Sequence, residues 1–117
     1  IALKGGTSIV TGDVVLTSGW GVNSTVSAVS GNDSRGTITV TTSALDSHTL
    51  NPQIALTFKD LTWTIAPFAV ACMNGNSTGA MSAALCRTTV TVLTITYSGT
   101  PTALTAATYI FNYQVLG

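Results

Sequence analysis

The chain has 117 residues, of which only 7% are charged, and four Lys and Arg residues balance four Asp residues. This length suits one domain with a single core, and a net charge of zero provides no basic surface for a phosphate backbone. We therefore expect residues 1–117 to form one domain that does not bind nucleic acid. A charged fraction far below the usual value of about 25% predicts a surface of neutral Thr and Ser, or faces buried between copies of the chain.

Extended structure is predicted along almost the whole chain, because Thr, Val and Ile favour pleated, half-buried surfaces. Apolar and hydroxyl-bearing side chains alternate with the period of a strand, and turns rich in Gly and Asn separate the segments. The predicted strands span residues 9–16, 25–29, 37–41, 54–58, 68–73, 81–86, 90–97 and 109–115. About eight short strands predict an all-β, antiparallel two-sheet β-sandwich, either a jelly roll or an immunoglobulin-like variant.

Residues 31–40, with the sequence GNDSRGTITV, place two of the eight charged residues in one glycine-flanked turn. In a chain with so little charge, this placement favours a structural role over a chemical one. We expect Asp33 and Arg35 to pair with each other, with nearby backbone, or across a contact between copies.

The longest apolar stretch is IAPFAVACM, at residues 65–73. It contains a proline and is far shorter than the roughly 20 residues that span a bilayer. We therefore expect no membrane insertion, and we predict that this stretch is a buried core strand.

Groups that could perform chemistry are sparse. His48 is the one histidine, and no Gly-x-Ser-x-Gly turn presents a nucleophile. Asp13, Asp33, Asp46 and Asp60 fall in predicted turns, where Asp commonly caps its own backbone, and no dense D-x-D-x-D spacing indicates a metal ion. We expect no enzyme activity, cofactor or metal, since a sugar-cleaving carboxylate pair would need two of these aspartates side by side.

Cys72 and Cys86 lie on either side of a loop that contains Asn74, Gly75 and Asn76. If the flanking segments pair as a hairpin, the two sulfurs could form a disulfide. Two free, buried thiols are the favoured alternative.

Any ligand site is predicted to lie on the loops. An aromatic ring between two glycines can stack on a sugar, and side chains on polar loops can donate or accept hydrogen bonds, with Asp46 as an acceptor for hydroxyl groups. The candidate ligand-binding residues are Trp20, Asp46, His48, Asn74 and Asn76. Packing in the core is the competing interpretation of Trp20.

Several separated motifs occur in one order between residues 19 and 117. They are GWG at residues 19–21, SGNDSRG at residues 30–36, TFKDLTWTIAPF at residues 57–68, and SGTP at residues 98–101 before the last strand. In this order the chain resembles the C-terminal domains of bacteriophage tail fibres and related virion structural proteins.

The resemblance implies a C-terminal fragment of a longer fibre protein, located on the phage tail or capsid surface. It also implies a homotrimer whose tip attaches the virion to a host-surface glycan or protein and contacts other virion proteins. The alternative is a structural virion protein, such as a capsid decoration or a fibre trimerisation domain, that has no host receptor of its own.

Overall fold

The computed structural model describes residues 6–43, 47–60, 63–101 and 106–117. These residues form a short 3-10 helix at Thr11–Asp13 and eight strands. The strands are β1 (Val14–Ser18), β2 (Thr25–Gly31), β3 (Arg35–Thr41), β4 (Gln53–Thr57), β5 (Phe68–Met73), β6 (Ala84–Thr88), β7 (Val92–Tyr97) and β8 (Thr108–Leu116). The predicted all-β class is confirmed, and none of the described residues belongs to a helix long and apolar enough to cross a membrane.

Two four-stranded antiparallel sheets pack into a sandwich, as predicted. The first sheet has the order β1-β4-β7-β6, and the second has the order β2-β3-β8-β5. The connections β2–β3 and β6–β7 are hairpins within one sheet, whereas the other connections cross between the sheets. This order differs from that of immunoglobulin constant domains, in which the first two strands are neighbours in one sheet.

The core lies between the sheets and is built by alternation along the central strands. In β7 and β8 every second side chain is buried, and most of the intervening side chains, which face outward, are Thr, Asn or Gln. The fully buried large side chains include those of Trp20, Tyr109, Phe111, Ile38, Ile54, Leu56, Leu93 and Ile95. This is the apolar-in, hydroxyl-out pattern that the sequence predicted for these strands.

The prediction of a buried core strand at residues 65–73 is wrong for half of its side chains. β5 is an edge strand of the second sheet, and its Phe68 and Val70 are 84% and 59% exposed. Ile65, which precedes the strand, is 81% exposed. Successive side chains of a strand point to opposite faces, so only Ala69, Ala71 and Met73 can turn inward. An apolar run does not reveal whether both faces of its strand are covered.

A buried carboxylate fixes one end of the sandwich. Asp33, in the β2–β3 turn, is 0% exposed, and its Oδ1 and Oδ2 accept hydrogen bonds of 2.8 Å from the backbone N–H groups of Lys59 and Asp60. Asp33 thus contacts backbone that lies 26 and 27 positions away along the chain, whereas Arg35 is exposed. Within the described ranges the single salt bridge joins Lys59 to Asp13 at 3.2 Å, so Asp33 and Arg35 are not an ion pair.

The turn that carries Asp33 is held by its own backbone and by β8. Gly31 has a φ of +106°, a conformation that glycine adopts without the penalty of a side chain. Asn32 Oδ1 accepts hydrogen bonds from the N–H groups of Ser34 and Arg35, and the Tyr113 hydroxyl donates to the Asn32 carbonyl. These bonds fix the backbone of the turn, and they do so independently of the contacts that the Asp33 side chain makes with the opposite loop.

We expect Asp33→Ala to lower the free energy of unfolding by about 3–6 kcal/mol, because each of the two hydrogen bonds to the carboxylate contributes about 1.5–3 kcal/mol and the substitution leaves both N–H groups without their acceptor. Urea unfolding followed by circular dichroism measures the change. Asp33→Asn is the matched control: its amide has the same shape but offers one acceptor, so it should lose less. Wild-type stability in both variants would contradict this role of the carboxylate.

Stability should also fall in acid. The hydrogen bond from the Val10 backbone, followed by Lys59, holds the pKa of Asp13 below the ordinary value of 3.8, and hydrogen bonds from Thr7 do the same for Asp60. A carboxyl group with a lower pKa in the folded state stabilises the protein above its unfolded pKa, and this contribution disappears as the pH falls through the folded value. Urea midpoints between pH 5 and pH 2 should therefore decline. The decline should be shallower in a double variant with Asp13→Asn and Asp60→Asn, and an unchanged slope would contradict the assignment.

Candidate functional site

Four connections meet at the end of the sandwich opposite Asp33. We call this surface the loop end; its described residues are 19–24, 47–52, 74–83 and 98–101, which follow β1, β3, β5 and β7. Antiparallel pairing brings these connections together, because each neighbouring strand pair runs in opposite directions.

Hydrogen bonds join the loops of this end to one another. The Thr49 N–H donates to the Gly19 carbonyl at 3.0 Å, and the Asn51 N–H donates to the Gly99 carbonyl at 2.7 Å. A second hydrogen bond joins the same two residues, because Asn51 Oδ1 accepts from the Gly99 N–H at 2.9 Å. Asn51 has a φ of 55°, in the left-handed region that Asn tolerates better than most residues.

The same linkage continues into the loop between β5 and β6. The Ser98 N–H donates to the Ala83 carbonyl at 2.8 Å, and the Ser82 hydroxyl donates to the Ser98 carbonyl. The Tyr97 hydroxyl donates to the Ala80 carbonyl at 2.8 Å. Four loops are therefore connected by direct hydrogen bonds, which fixes their backbones relative to one another.

Trp20 does not form a sugar-stacking platform, so its prediction as a ligand-binding residue is wrong. The side chain is 1% exposed, and its Nε1 donates to the Gln53 carbonyl at 3.1 Å. Its ring lies 6.1, 5.5 and 6.2 Å from those of Tyr97, Tyr109 and Phe111, measured between centroids. The two flanking glycines have positive φ, and this turn directs the ring inward to close the core at the loop end.

His48 is half-buried and supports the same turn. Its Nδ1 lies 2.8 Å from the Trp20 carbonyl oxygen, and because a carbonyl only accepts, Nδ1 carries the hydrogen. Nε2 is buried and has no hydrogen-bond partner among the described residues. His48 thus holds the Trp20 backbone, while Asp46, the candidate predicted beside it, lies outside the described residues.

The two predicted asparagines have different roles. Asn74 is half-buried, and its Oδ1 accepts a hydrogen bond of 2.9 Å from the Asn76 N–H, while its carbonyl accepts from Ser77. Asn74 is therefore a turn-forming residue. Asn76 is exposed, whereas of the other three predicted ligand-binding residues that the structure describes His48 and Asn74 are half-buried and Trp20 is buried.

Three aliphatic side chains that the sequence did not single out project from three different loops of the loop end. Val22 is 95% exposed, Leu50 69% and Met81 55%. Val22 and Leu50 lie inside or beside predicted turns, and an apolar residue among turn residues is the signal that could have found them. Met81 was instead predicted to begin the strand at residues 81–86, whereas β6 begins at Ala84.

A second exposed surface lies away from the loop end. We call it the apolar face and define it by Ile65, Phe68, Val70 and Leu116, each more than half exposed. A depression of about 390 Å³ borders it beside Val70 and Arg35, and a larger one of about 710 Å³ lies between Trp63, Phe68 and Leu116.

The cysteines are free, and no disulfide joins them. The predicted hairpin is absent because the strands β5 and β6 belong to different sheets. Cys72 is exposed, contrary to the expectation of a buried thiol, whereas Cys86 is half-buried and burial raises its pKa.

Three of the four aspartates lie near one another around Lys59, at the end that Asp33 fixes. Asp33 is inaccessible to a substrate, since it is fully buried and both oxygens accept backbone hydrogen bonds. Asp13 is paired with Lys59, and Asp60 accepts the Thr7 N–H at 2.7 Å. The part of the chain that the structure describes contains no group of three His, Cys, Asp or Glu side chains that could hold a metal ion.

No protein family model, curated protein or solved structure matches this chain.

We expect Asn51→Ala to lower the free energy of unfolding by about 2 kcal/mol, since Ala is strained at positive φ and loses the hydrogen bond to Gly99. Asn51→Gly is the matched control: it loses the same hydrogen bond but accepts the backbone conformation, so it should cost less. Chemical denaturation compares the two variants. Equal losses would show that the left-handed backbone at residue 51 is not a constraint on the loop end.

Proposed function

We propose that this domain is a non-catalytic attachment module of a virion fibre, and that its loop end contacts a protein on the host surface. The observation that carries the proposal is the set of hydrogen bonds that joins the four loops. Loops on a rigid scaffold are common binding elements, and loops that are already ordered avoid part of the entropy cost of binding.

The exposed side chains of the loop end favour a protein over a glycan. Sugars are usually bound by exposed aromatic rings together with polar groups, and the Trp20 ring is buried. Val22, Leu50 and Met81 instead offer aliphatic surface, which suits an apolar patch on a protein. The virion context of the proposal comes from the motif resemblance, and the homotrimer that it implies stays a prediction.

A structural virion role without a host receptor is the second candidate. The apolar face favours it, because Ile65 and Phe68 are each more than four-fifths exposed and an exposed apolar surface of this kind is typical of contacts between proteins. In that role the domain would contact only other virion proteins or copies of itself.

Cell binding by a triple variant with Val22→Ser, Leu50→Ser and Met81→Ser tests the attachment proposal. Flow cytometry of the fluorescently labelled domain on a panel of bacterial strains should show at least tenfold weaker binding, since the loss of a single hot-spot side chain costs about 2 kcal/mol and a factor of ten in affinity corresponds to about 1.4 kcal/mol. The matched control carries Val10→Ser, Val15→Ser and Leu85→Ser, at positions 53%, 56% and 58% exposed, and should bind as the wild type does.

Protease treatment of the cells distinguishes the receptor classes. Binding that disappears after treatment supports a protein receptor, and binding that persists, or binding on a glycan array, contradicts it. A folded wild-type domain that binds none of the strains would favour the structural candidate, whereas a triple variant that binds normally would show that the loop end is not the surface that contacts the host.

A further inference from the structure

One edge of the sandwich lacks the features that usually prevent strands from pairing with another chain. In the described part of the chain, β1 and β2 are edge strands with a register irregularity, and β6 is an edge strand with the exposed Arg87. Bulges and charges are the usual protections of sheet edges. β5 has neither, because Phe68–Met73 is uncharged, contains no proline and pairs with β8 in regular register.

The hydrogen-bond pattern identifies which backbone groups of β5 face outward. The Asn74 N–H donates to the Ile110 carbonyl at 2.8 Å, so these residues form a hydrogen-bonded pair at the end of the β5–β8 ladder. Such pairs alternate along an antiparallel ladder. The N–H and C=O groups of Ala69, Ala71 and Met73 therefore point away from β8, and they have no hydrogen-bond partner among the described residues.

The side chains at this edge are suited to contact with themselves. Phe68 and Val70 are 84% and 59% exposed on the outer face of β5, and Ile65 and Leu116 extend the apolar surface beside them. Residues 63–73 contain no charged side chain. Like charges directly opposite each other destabilise a strand pair. Two copies of this edge can meet without such a contact.

We propose that β5 pairs antiparallel with β5 of a second copy about a two-fold axis at Ala71. In this register Ala69 lies opposite Met73 of the partner copy, so all three outward-facing residues of each strand take part. The two second sheets become one continuous eight-stranded sheet, and the contact is isologous and closed. Strands from two copies bury a small area beside the apolar face, so a dissociation constant on the order of 10 µM is expected. The pairing does not depend on whether the loop end binds a host protein.

Sedimentation velocity over a range of concentrations tests the pairing. The 11.9 kDa chain should shift from monomer to dimer as its concentration rises. Val70→Lys should weaken the dimer at least tenfold, because it places a charge on each side of the two-fold axis. Val15→Lys is the matched control, since Val15 is 56% exposed on the edge strand β1, and it should dimerise as the wild type does. Circular dichroism confirms that each variant is folded.

A crosslink tests the register. In the proposed pairing residue 70 lies opposite Cys72 of the partner copy in a non-hydrogen-bonded pair, whose Cα separation of about 4.5 Å suits a disulfide. Under oxidising conditions Val70→Cys should therefore give a covalent dimer on a non-reducing gel. Combining Val70→Cys with Cys72→Ser should abolish the crosslink, and Val15→Cys should give none.

A wild-type chain that stays monomeric at 100 µM or forms the trimer implied by the motif resemblance would overturn the proposal. So would a Val70→Lys variant that dimerises normally, or a crosslink that persists without Cys72.

Discussion

The arrangement of the two sheets depends on the buried carboxylate of Asp33. Its side chain leaves the β2–β3 turn of the second sheet and accepts two backbone hydrogen bonds from the connection that follows β4 of the first sheet. Because a buried carboxylate must be satisfied by hydrogen bonds, the turn and the connection cannot separate without a large cost. The polar residues of the GNDSRG turn divide this work, since Asn32 accepts the hydrogen bonds that shape the turn and Asp33 accepts those from the opposite connection.

Local sequence predicts the strands well, and it predicts their long-range contacts poorly. The apolar stretch predicted a strand at 68–73, which is the observed β5, and side-chain alternation predicted 37–41 and 109–115 within two residues of β3 and β8. Side-chain alternation is a local property, so a few consecutive residues are enough to predict a strand. The partners of Asp33 are 26 and 27 positions away along the chain, and nothing in the turn indicates which loop it will meet.

At the candidate site, local sequence likewise does not predict which side chains of a loop or strand are buried. A tryptophan between two glycines can be exposed or buried. Trp20 is buried because the turn at residues 19–21 directs its ring inward. An apolar strand can likewise lie at the centre or at the edge of a sheet. Phe68 is exposed because β5 is the last strand of its sheet. Both outcomes depend on where other segments lie, which residue type and period do not encode.

The hydrogen bonds among the loops have a consequence for sequence variation. The bonds between Thr49 and Gly19, between Asn51 N–H and Gly99, and between Ser98 and Ala83 are all made by backbone atoms. Substituting the side chains of Val22, Leu50 or Met81 removes none of them. The shape of this end can therefore be kept while the chemistry of its tips changes, so the domain could acquire new binding preferences by point mutation without loss of its fold.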